Sequence, residues 1–305
     1  MKKVLFIVNP SSGGKEALEI SRTLEESFVQ NGTDVQRYKT TGNDDFKSLT
    51  YEAIQNDFKV VVIFGGDGTI SGYVRAIASL ENRPAIILIP LGTTNNLARA
   101  LNTELNRANL VSKILSNQFV EKQVDVGQVN DEYFISTLSA GAIPEVSWKT
   151  EDESKEELGP LAYILEGISA FNKKETFNLS LETDSESLYL NDITLLIIGL
   201  SNSVFGIPVF FDQARIDDGK FHLYALKESD LMKSSTSLAS DAFSKSESVN
   251  ELSFLTSFKQ GRIDSTKDMN LAMDGEKGPT FPVELKLLEK HLTFLVPEAT
   301  NKKTL

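Results

Sequence analysis

The chain has 305 residues, a formal net charge of -12 and no cysteine. That length suits two domains of ordinary size, and the missing cysteine excludes disulfides, thiolate nucleophiles and zinc–sulfur sites while fitting a reducing compartment. The acidic balance argues against a nucleic-acid partner and against permanent adhesion to anionic lipid, and with 40% apolar and 24% charged residues the composition is that of a globular protein in water.

In chain order, Met1-Lys2-Lys3 is followed by an apolar run over 4–8. Two lysines before apolar residues invite a signal-peptide reading. The run is short, however, and is closed by Asn9-Pro10, so it reads as a buried first strand. No stretch approaches the roughly 20 apolar residues of a spanning helix, which predicts a cytoplasmic protein. A polar loop over 11–15 leads into a helix over 16–30, with Leu18, Ile20, Leu24 and Phe28 at helical spacing. A strand over 34–38, a helix over 44–55 and a third strand over 60–64 follow.

That third strand runs into Gly65-Gly66-Asp67-Gly68-Thr69 and a helix beginning Ile70-Ser71-Gly72. A fourth apolar strand, 85–89, ends in Pro90-Leu91-Gly92-Thr93-Thr94-Asn95-Asn96, ahead of a short helix over 98–101 and a longer one over 107–116. Repeated strand–helix units with continuous apolar strands predict a parallel sheet covered on both faces. In such sheets ligands bind beyond the carboxyl ends of the strands. Three polar, glycine-containing loops, 9–14, 65–69 and 92–95, fall at that end and describe a donor-rich pocket. Glycines around one aspartate let bare backbone approach a phosphate while a helix N-terminus offers N–H groups; taken alone, the same residues also make an ordinary tight turn. The loop over 11–15 lacks the spacing of GxxxxGK[ST], and no GxGxxG follows the first strand.

Near 123 the pattern changes. A hairpin over 123–129 and 132–138 turns at Asn130-Asp131, a polar stretch covers 149–158, and one helix-like segment covers 161–171. Strands are then predicted over 176–182, 187–189, 194–200, 220–226, 262–264, 269–273, 283–288 and 291–296. Many short strands linked by turns predict a mostly antiparallel second domain, a sandwich or barrel. The domains read as 1–125, rejoined by the C-terminal tail, and 126–296. Residues 234–248, rich in Ser, Lys and Ala, form either a solvated helix or a surface loop, and 207–211 either wall an acyl chain or belong to the core. The tail over 301–305 reads as frayed.

The two histidines, His222 and His291, stand alone on strand-like stretches, which leaves catalysis to carboxylates, backbone dipoles or metal. Two acidic groups occupy the second half: Arg215-Ile216-Asp217-Asp218-Gly219-Lys220 and Met273-Asp274-Gly275-Glu276. Each can be an Asp-Gly turn between strands; each can also place carboxylates at a site.

Asn9-Pro10 with Ser12-Gly13, then Gly65 to Thr69, Pro90 to Asn95, Asp217-Asp218-Gly219 and Asp274-Gly275-Glu276 occur in the order and spacing of the bacterial diacylglycerol kinase-like lipid kinases. The resemblance runs over nearly the whole chain. Gly-Gly-Asp-Gly-Thr by itself is shared with sphingosine kinases, phosphofructokinases and NAD kinases, so a soluble NAD or sugar kinase stays as an alternative. The resemblance implies an α/β plus β fold: an N-terminal parallel-sheet domain of the NAD kinase/phosphofructokinase type and a C-terminal, mostly antiparallel β-sandwich carrying the metal site and catalytic base. It implies transfer of the γ-phosphate of ATP to a lipid hydroxyl in the cleft between the domains.

By the same resemblance, the nucleotide is bound by Asn9, Pro10, Ser11, Ser12, Gly13, Thr40, Gly65, Gly66, Asp67, Gly68, Thr69, Gly72 and Thr93. Glu276 is the catalytic base, and Arg215, Asp218 and Lys220 hold Mg2+, the first and last through backbone carbonyls, with Asp67 joining through water. The partners implied are ATP and a lipid presented by the inner membrane surface in transient contact, with room for a homodimer. The sequence departs from the family at Ser71-Gly72, where Asn-Glu is usual, and at Asn95-Asn96, where Asn-Asp is usual. Both departures remove a carboxylate, which weakens metal binding, alters acceptor choice, or marks a nucleotide- or lipid-binding regulator.

Overall fold

The structure, a computed structural model, describes residues 2–12, 14–41, 45–141, 176–204, 211, 213–227 and 253–298. Gly13, the polar stretch 149–158, the helix expected over 161–171, residues 207–210, the segment 234–248 and the tail 301–305 lie outside the described residues. The chain divides into two compact units, one built from residues up to Val126 together with those from Leu288 onward, the other from Gly127–Leu287.

The first unit alternates strand and helix: β1 (Lys3–Val8), α1 (Lys15–Gln30), β2 (Asp34–Lys39), α2 (Phe46–Gln55), β3 (Val60–Gly65), α3 (Asp67–Ile77), β4 (Ala85–Pro90), α4 (Asn96–Ala100) and α5 (Arg107–Leu115). The strands are parallel in the order β2-β1-β3-β4. β15 (Val283–Pro297) adds to the outer side of β4, pairing Phe294 with Ile86 in the parallel sense. Alternate residues explain the layers. Val4, Phe6 and Val8 with Val60, Val62 and Phe64 face one side, where Ala17, Leu24 and Phe28 of α1 and Leu110 and Ile114 of α5 pack on them. Leu5, Ile7, Val61 and Ile63 face the other way and are just as fully buried. Continuous apolar strands are thus the mark of a sheet with both faces covered.

The second unit is antiparallel. It holds the end of β5 (Phe119–Val129), then β6 (Glu132–Phe134), β7 (Thr137–Gly141), β8 (Phe177–Thr183), β9 (Ser187–Gly199), β10 (Phe221–Lys227), β11 (Ser253–Phe258), β12 (Gln260–Ser265), β13 (Asn270–Met273), β14 (Glu276–Thr280) and the start of β15. β9 pairs with β8 along its first half and β7 along its second, with β10 across its later residues. Phe134, Phe177, Leu196, Ile198, Phe221, Leu223, Ile263 and Met273 share one core. The expected α/β plus antiparallel β architecture is therefore the one observed.

Strand boundaries differ from the sequence reading where polar residues interrupt a run. The segments 187–189 and 194–200 are one strand, as are 283–288 and 291–296. Each is continuous through a single left-handed residue, Asp192 at φ 55° and Lys290 at φ 49°. A side chain from another strand accepts the displaced N–H: Asn178 Oδ1 takes that of Asp192 at 2.9 Å, and Asp125 Oδ1 takes that of Lys290 at 2.7 Å. Conversely, 132–138 is split into β6 and β7, because the N–H groups of Ile135, Ser136 and Thr137 all turn to the carboxylate of Asp274. Strands β11 and β14 have no counterpart in the sequence reading.

Candidate active site

Within the first unit, three turns meet at the carboxyl edge of the parallel sheet. Asn9, directly after β1, donates its backbone N–H to Phe64 O at 2.9 Å. Its side chain donates from Nδ2 to Thr69 Oγ1 at 2.8 Å, and its Oδ1 accepts the Ser11 N–H at 2.8 Å. Asn9 therefore fastens the first loop both to the end of β3 and to the first turn of α3. Ser12 adds a second tie, its Oγ accepting the Gly66 N–H at 3.1 Å.

The glycines are required by contact. A Cβ on Gly65 would lie 2.5 Å from Thr69 Oγ1, and one on Gly66 would lie 2.9 Å from Gly92 Cα. Real Cβ contacts do not come that close, so neither position takes a side chain unless its neighbours move. Gly65 and Gly66 are buried, Asp67 is half-buried and Gly68 is exposed at the start of α3. In that first turn the N–H groups have no intrahelical acceptor, and the helix dipole favours an anion.

The third turn is shaped by Asn95, which holds φ 53° and closes on Gly92 with two bonds, accepting its N–H at 3.0 Å and donating to its carbonyl at 2.7 Å. Next to it, the Asn96 N–H donates to Asp67 Oδ2 at 3.1 Å. The start of α4 thus orients the aspartate of the glycine turn. Thr93 is exposed on this turn. Thr40 is buried at the end of β2, where its N–H donates to Val8 O at 2.9 Å and its hydroxyl to Asp45 Oδ1 at 2.6 Å. Gly72 is buried within α3, one turn past the glycine cluster. Turns packed backbone against backbone beside a helix N-terminus fit the phosphates of a nucleotide.

Within the second unit, Asp218 lies between Arg215 and Lys220 in the loop before β10. Its carboxylate accepts the Arg215 N–H at 2.9 Å and the Lys220 N–H at 3.1 Å, and His222 Nε2 lies 2.9 Å from Oδ2. Burial pushes this carboxyl up, but the His222 ring and the two backbone N–H groups outweigh it and leave it below the ordinary carboxylate range. The Arg215 side chain turns away to Asp217, and the Arg215 carbonyl accepts the Asp218 N–H at 3.2 Å. No group of three His, Asp or Glu side chains converges among the described residues. Mg2+ keeps several waters and takes few carboxylates, so one carboxylate with the carbonyls of Arg215 and Lys220 is a donor set of the right hardness.

Asp274 and Gly275, at φ 49° and 86°, form the two-residue turn between β13 and β14, as a primed hairpin turn requires. Glu276 is the first residue of β14, half-buried and paired with Met273. For Asn95, Asn96 and Asp274 the sequence reading named no bonding partner; the structure supplies Gly92, Asp67 and the N–H groups of 135–137. Asn95 had a usable signal, since asparagine after a glycine turn tolerates the left-handed region.

Glycine turns gathered at the carboxyl edge of a parallel α/β sheet, in a chain that continues into an antiparallel unit, define a protein of the nucleotide-binding α/β class. The family described as "Diacylglycerol kinase catalytic domain" matches residues 3–129. The "Diacylglycerol kinase" of Bacillus subtilis (strain 168) is 30% identical over 299 residues, which cover 98% of this chain and 97% of that protein. The "Diacylglycerol kinase" of Staphylococcus carnosus (strain TM300) is 31% identical over 301 residues, 97% of this chain and 96% of that one. A solved structure described as a putative diacylglycerol kinase from Bacillus anthracis str. Sterne superposes with a TM-score of 0.78 at 26% identity, over 97% of this chain and 95% of that one. The chain belongs to the diacylglycerol kinase family and is a lipid kinase; the resemblance carried by its ordered motifs holds, and the family implies use of ATP.

Proposed function

We propose that this protein transfers the γ-phosphate of ATP to the hydroxyl of diacylglycerol or a closely related lipid. The observation that carries the reading is the meeting of three turns in the first unit, where Gly66 and Gly92 touch backbone to backbone and Asn96 N–H holds Asp67. The N–H groups in the first turn of α3, which have no intrahelical acceptor, suit a phosphate chain, and the acceptor is the lipid for which the relatives are named.

In this reading Asn9 to Gly13, Thr40, Gly65 to Thr69, Gly72 and Thr93 surround the nucleotide. Asp67, oriented by the start of α4, acts at the phosphate end. Glu276 accepts the proton of the lipid hydroxyl, which is too weak a nucleophile without a base. Mg2+ would be held by the Asp218 carboxylate and the carbonyls of Arg215 and Lys220, and would supply neutralisation of phosphate charge. The lipid is met at a membrane surface, with transient contact from the cytoplasmic side; no helix among the described residues is long and apolar enough to cross a membrane.

A panel of lipids in mixed micelles, with labelled ATP and Mg2+, tests the reaction. Label in an organic-extractable product supports it; label confined to a water-soluble product overturns it in favour of a soluble kinase. Glu276→Gln is expected to bind ATP and lose turnover, and full turnover in that variant removes Glu276 as base. A second reading, a nucleotide- or lipid-binding regulator, is favoured by Gly72 and Asn96, which stand where the resemblance implies carboxylates. Tight ATP binding with no turnover on any lipid selects it. The bond from Asn96 N–H to Asp67 Oδ2 is donated by the main chain.

A further inference from the structure

We propose that Asp274 is the positioning residue for Glu276: its carboxylate clamps the turn that carries Glu276 onto the backbone of 135–137. The inference rests on the reading of Glu276 as the base and adds what holds that base in place.

The strand that begins with Glu276 is poorly held by its own ladder. β14 has five residues, Glu-Lys-Gly-Pro-Thr, and among the described residues pairs only with the four-residue β13, across a register shift between Asn270 and Ala272. Pro279 has no N–H to give, and β14 is an end strand that joins its sheet only through β13, which pairs with β7 at Ala272 and Met273. Four hydrogen bonds at one residue add to that restraint. The Asp274 carboxylate accepts the N–H groups of Ser136 at 2.8 Å and Thr137 at 3.0 Å on Oδ1, and of Ile135 at 3.1 Å on Oδ2. The Asp274 N–H donates to Thr137 O at 2.8 Å.

Ile135 and Thr137 are 3% and 4% exposed, so these charge-assisted bonds are formed largely out of water, where they are strong. The left-handed backbone of Asp274 aims the carboxylate back at this segment, and Gly275 completes the turn. Glu276 then follows two residues after the clamp, opposite Met273, which is wholly buried. The base is thereby fixed to the core of its unit through Asp274 as well as through the pairing of β13 with β7.

Asp274→Asn keeps the left-handed backbone but turns one acceptor oxygen into an NH2 group that faces a backbone N–H. A displacement of the base by about 1 Å costs on the order of 100-fold, so kcat of Asp274→Asn is expected to fall roughly 10- to 100-fold. The KM for ATP is expected to stay within about twofold. Because Asp274 acts through Glu276, adding Asp274→Asn to Glu276→Gln should lower kcat no further. Amide hydrogen exchange at 135–137 should quicken in Asp274→Asn.

Wild-type kcat in Asp274→Asn beside an inactive Glu276→Gln overturns the positioning role. So does an undiminished effect of Asp274→Asn in the double variant. Full turnover in Glu276→Gln overturns the reading of the base, and quickened exchange at 135–137 then leaves Asp274 with a structural role alone. Should Asp274→Asn fail to fold, Asp274→Gly, which takes this backbone conformation without strain, is read by the same measurements.

Discussion

A β-carbon built on Gly92 would stand 2.7 Å from the α-carbon of Gly66, so the turns after β3 and β4 pack against each other with no side chain between them. This contact brings the glycine turn that opens α3 and the turn that opens α4 into one surface. It also makes one single-atom addition informative.

Gly92→Ala forces backbone against backbone, where no flexible side chain can yield. Overpacking of this kind costs about 1–3 kcal/mol, and the separation of the two turns should abolish ATP binding. Calorimetric titration with ATP and a thermal melt read the two effects. A variant with wild-type melting temperature and ATP affinity would show that the two turns are free to part.

Asn95 combines a left-handed backbone with a two-bond brace on Gly92. Asn95→Ala loses the brace and keeps a Cβ in that conformation, leaving its strain of about 1–2 kcal/mol without the local hydrogen bonds that offset it. Asn95→Gly loses only the brace. Both should bind ATP more weakly, with Ala the less stable of the two in urea; the reverse order of stability would contradict the account.

His291 lies half-buried in β15, its Nε2 2.6 Å from Ala78 O, with Arg83 Nε donating to the His291 carbonyl at 2.9 Å. Burial lowers its affinity for a proton; the bond to Ala78 opposes that and the Arg83 charge adds to it, for a net pKa below the ordinary 6.5. Below pH 6.5 the unfolded chain therefore takes up this proton more readily than the folded one, and stability falls as pH drops from 6.5 through the folded-state value. Above 6.5 this contribution is fully present. His291→Gln removes the titration, so its melting temperature should change less than that of the wild type across this window. Parallel curves for the two proteins between pH 5 and 8, roughly the range where a histidine titrates, would refute the assignment.

Asp125 is 1% exposed and accepts the N–H of Lys290, whose φ of 49° takes that group out of the β15 ladder. Asp125→Ala leaves the N–H without this acceptor at a cost of about 1–3 kcal/mol. Asp125→Asn keeps an acceptor oxygen and should cost less. Denaturant midpoints decide it, and an alanine variant as stable as the wild type would mean that the bend at Lys290 is supported from elsewhere.

Much of this protein was legible from local chemistry. The apolar runs of β1, β3 and β4 are long enough and unbroken enough that only a doubly covered parallel sheet can bury them. The glycine turns follow from the same grammar, because a strand that stops at Gly65-Gly66 and opens a helix at Asp67 has few other conformations open to it. The ordered motifs were sufficient to reach the family. What local pattern could not supply was any group whose partner lies far along the chain. Asp192 and Lys290 look like turns in the sequence, yet their strands run on, because Asn178 and Asp125 accept the N–H groups displaced there.

The amino-acid order by itself therefore determined the class of fold and the place of the glycine turns, since these depend on periodicity and on what a residue without a Cβ permits, while the kind of chemistry came from the resemblance of its ordered motifs to a known family. Tertiary structure alone decided that Gly66 meets Gly92, that the start of α4 holds Asp67, and that Asp274 ties its hairpin to Ile135, Ser136 and Thr137. Each of these is a bond or contact between segments distant in sequence, and a polar group buried on folding takes whatever partner the packed chain brings within reach.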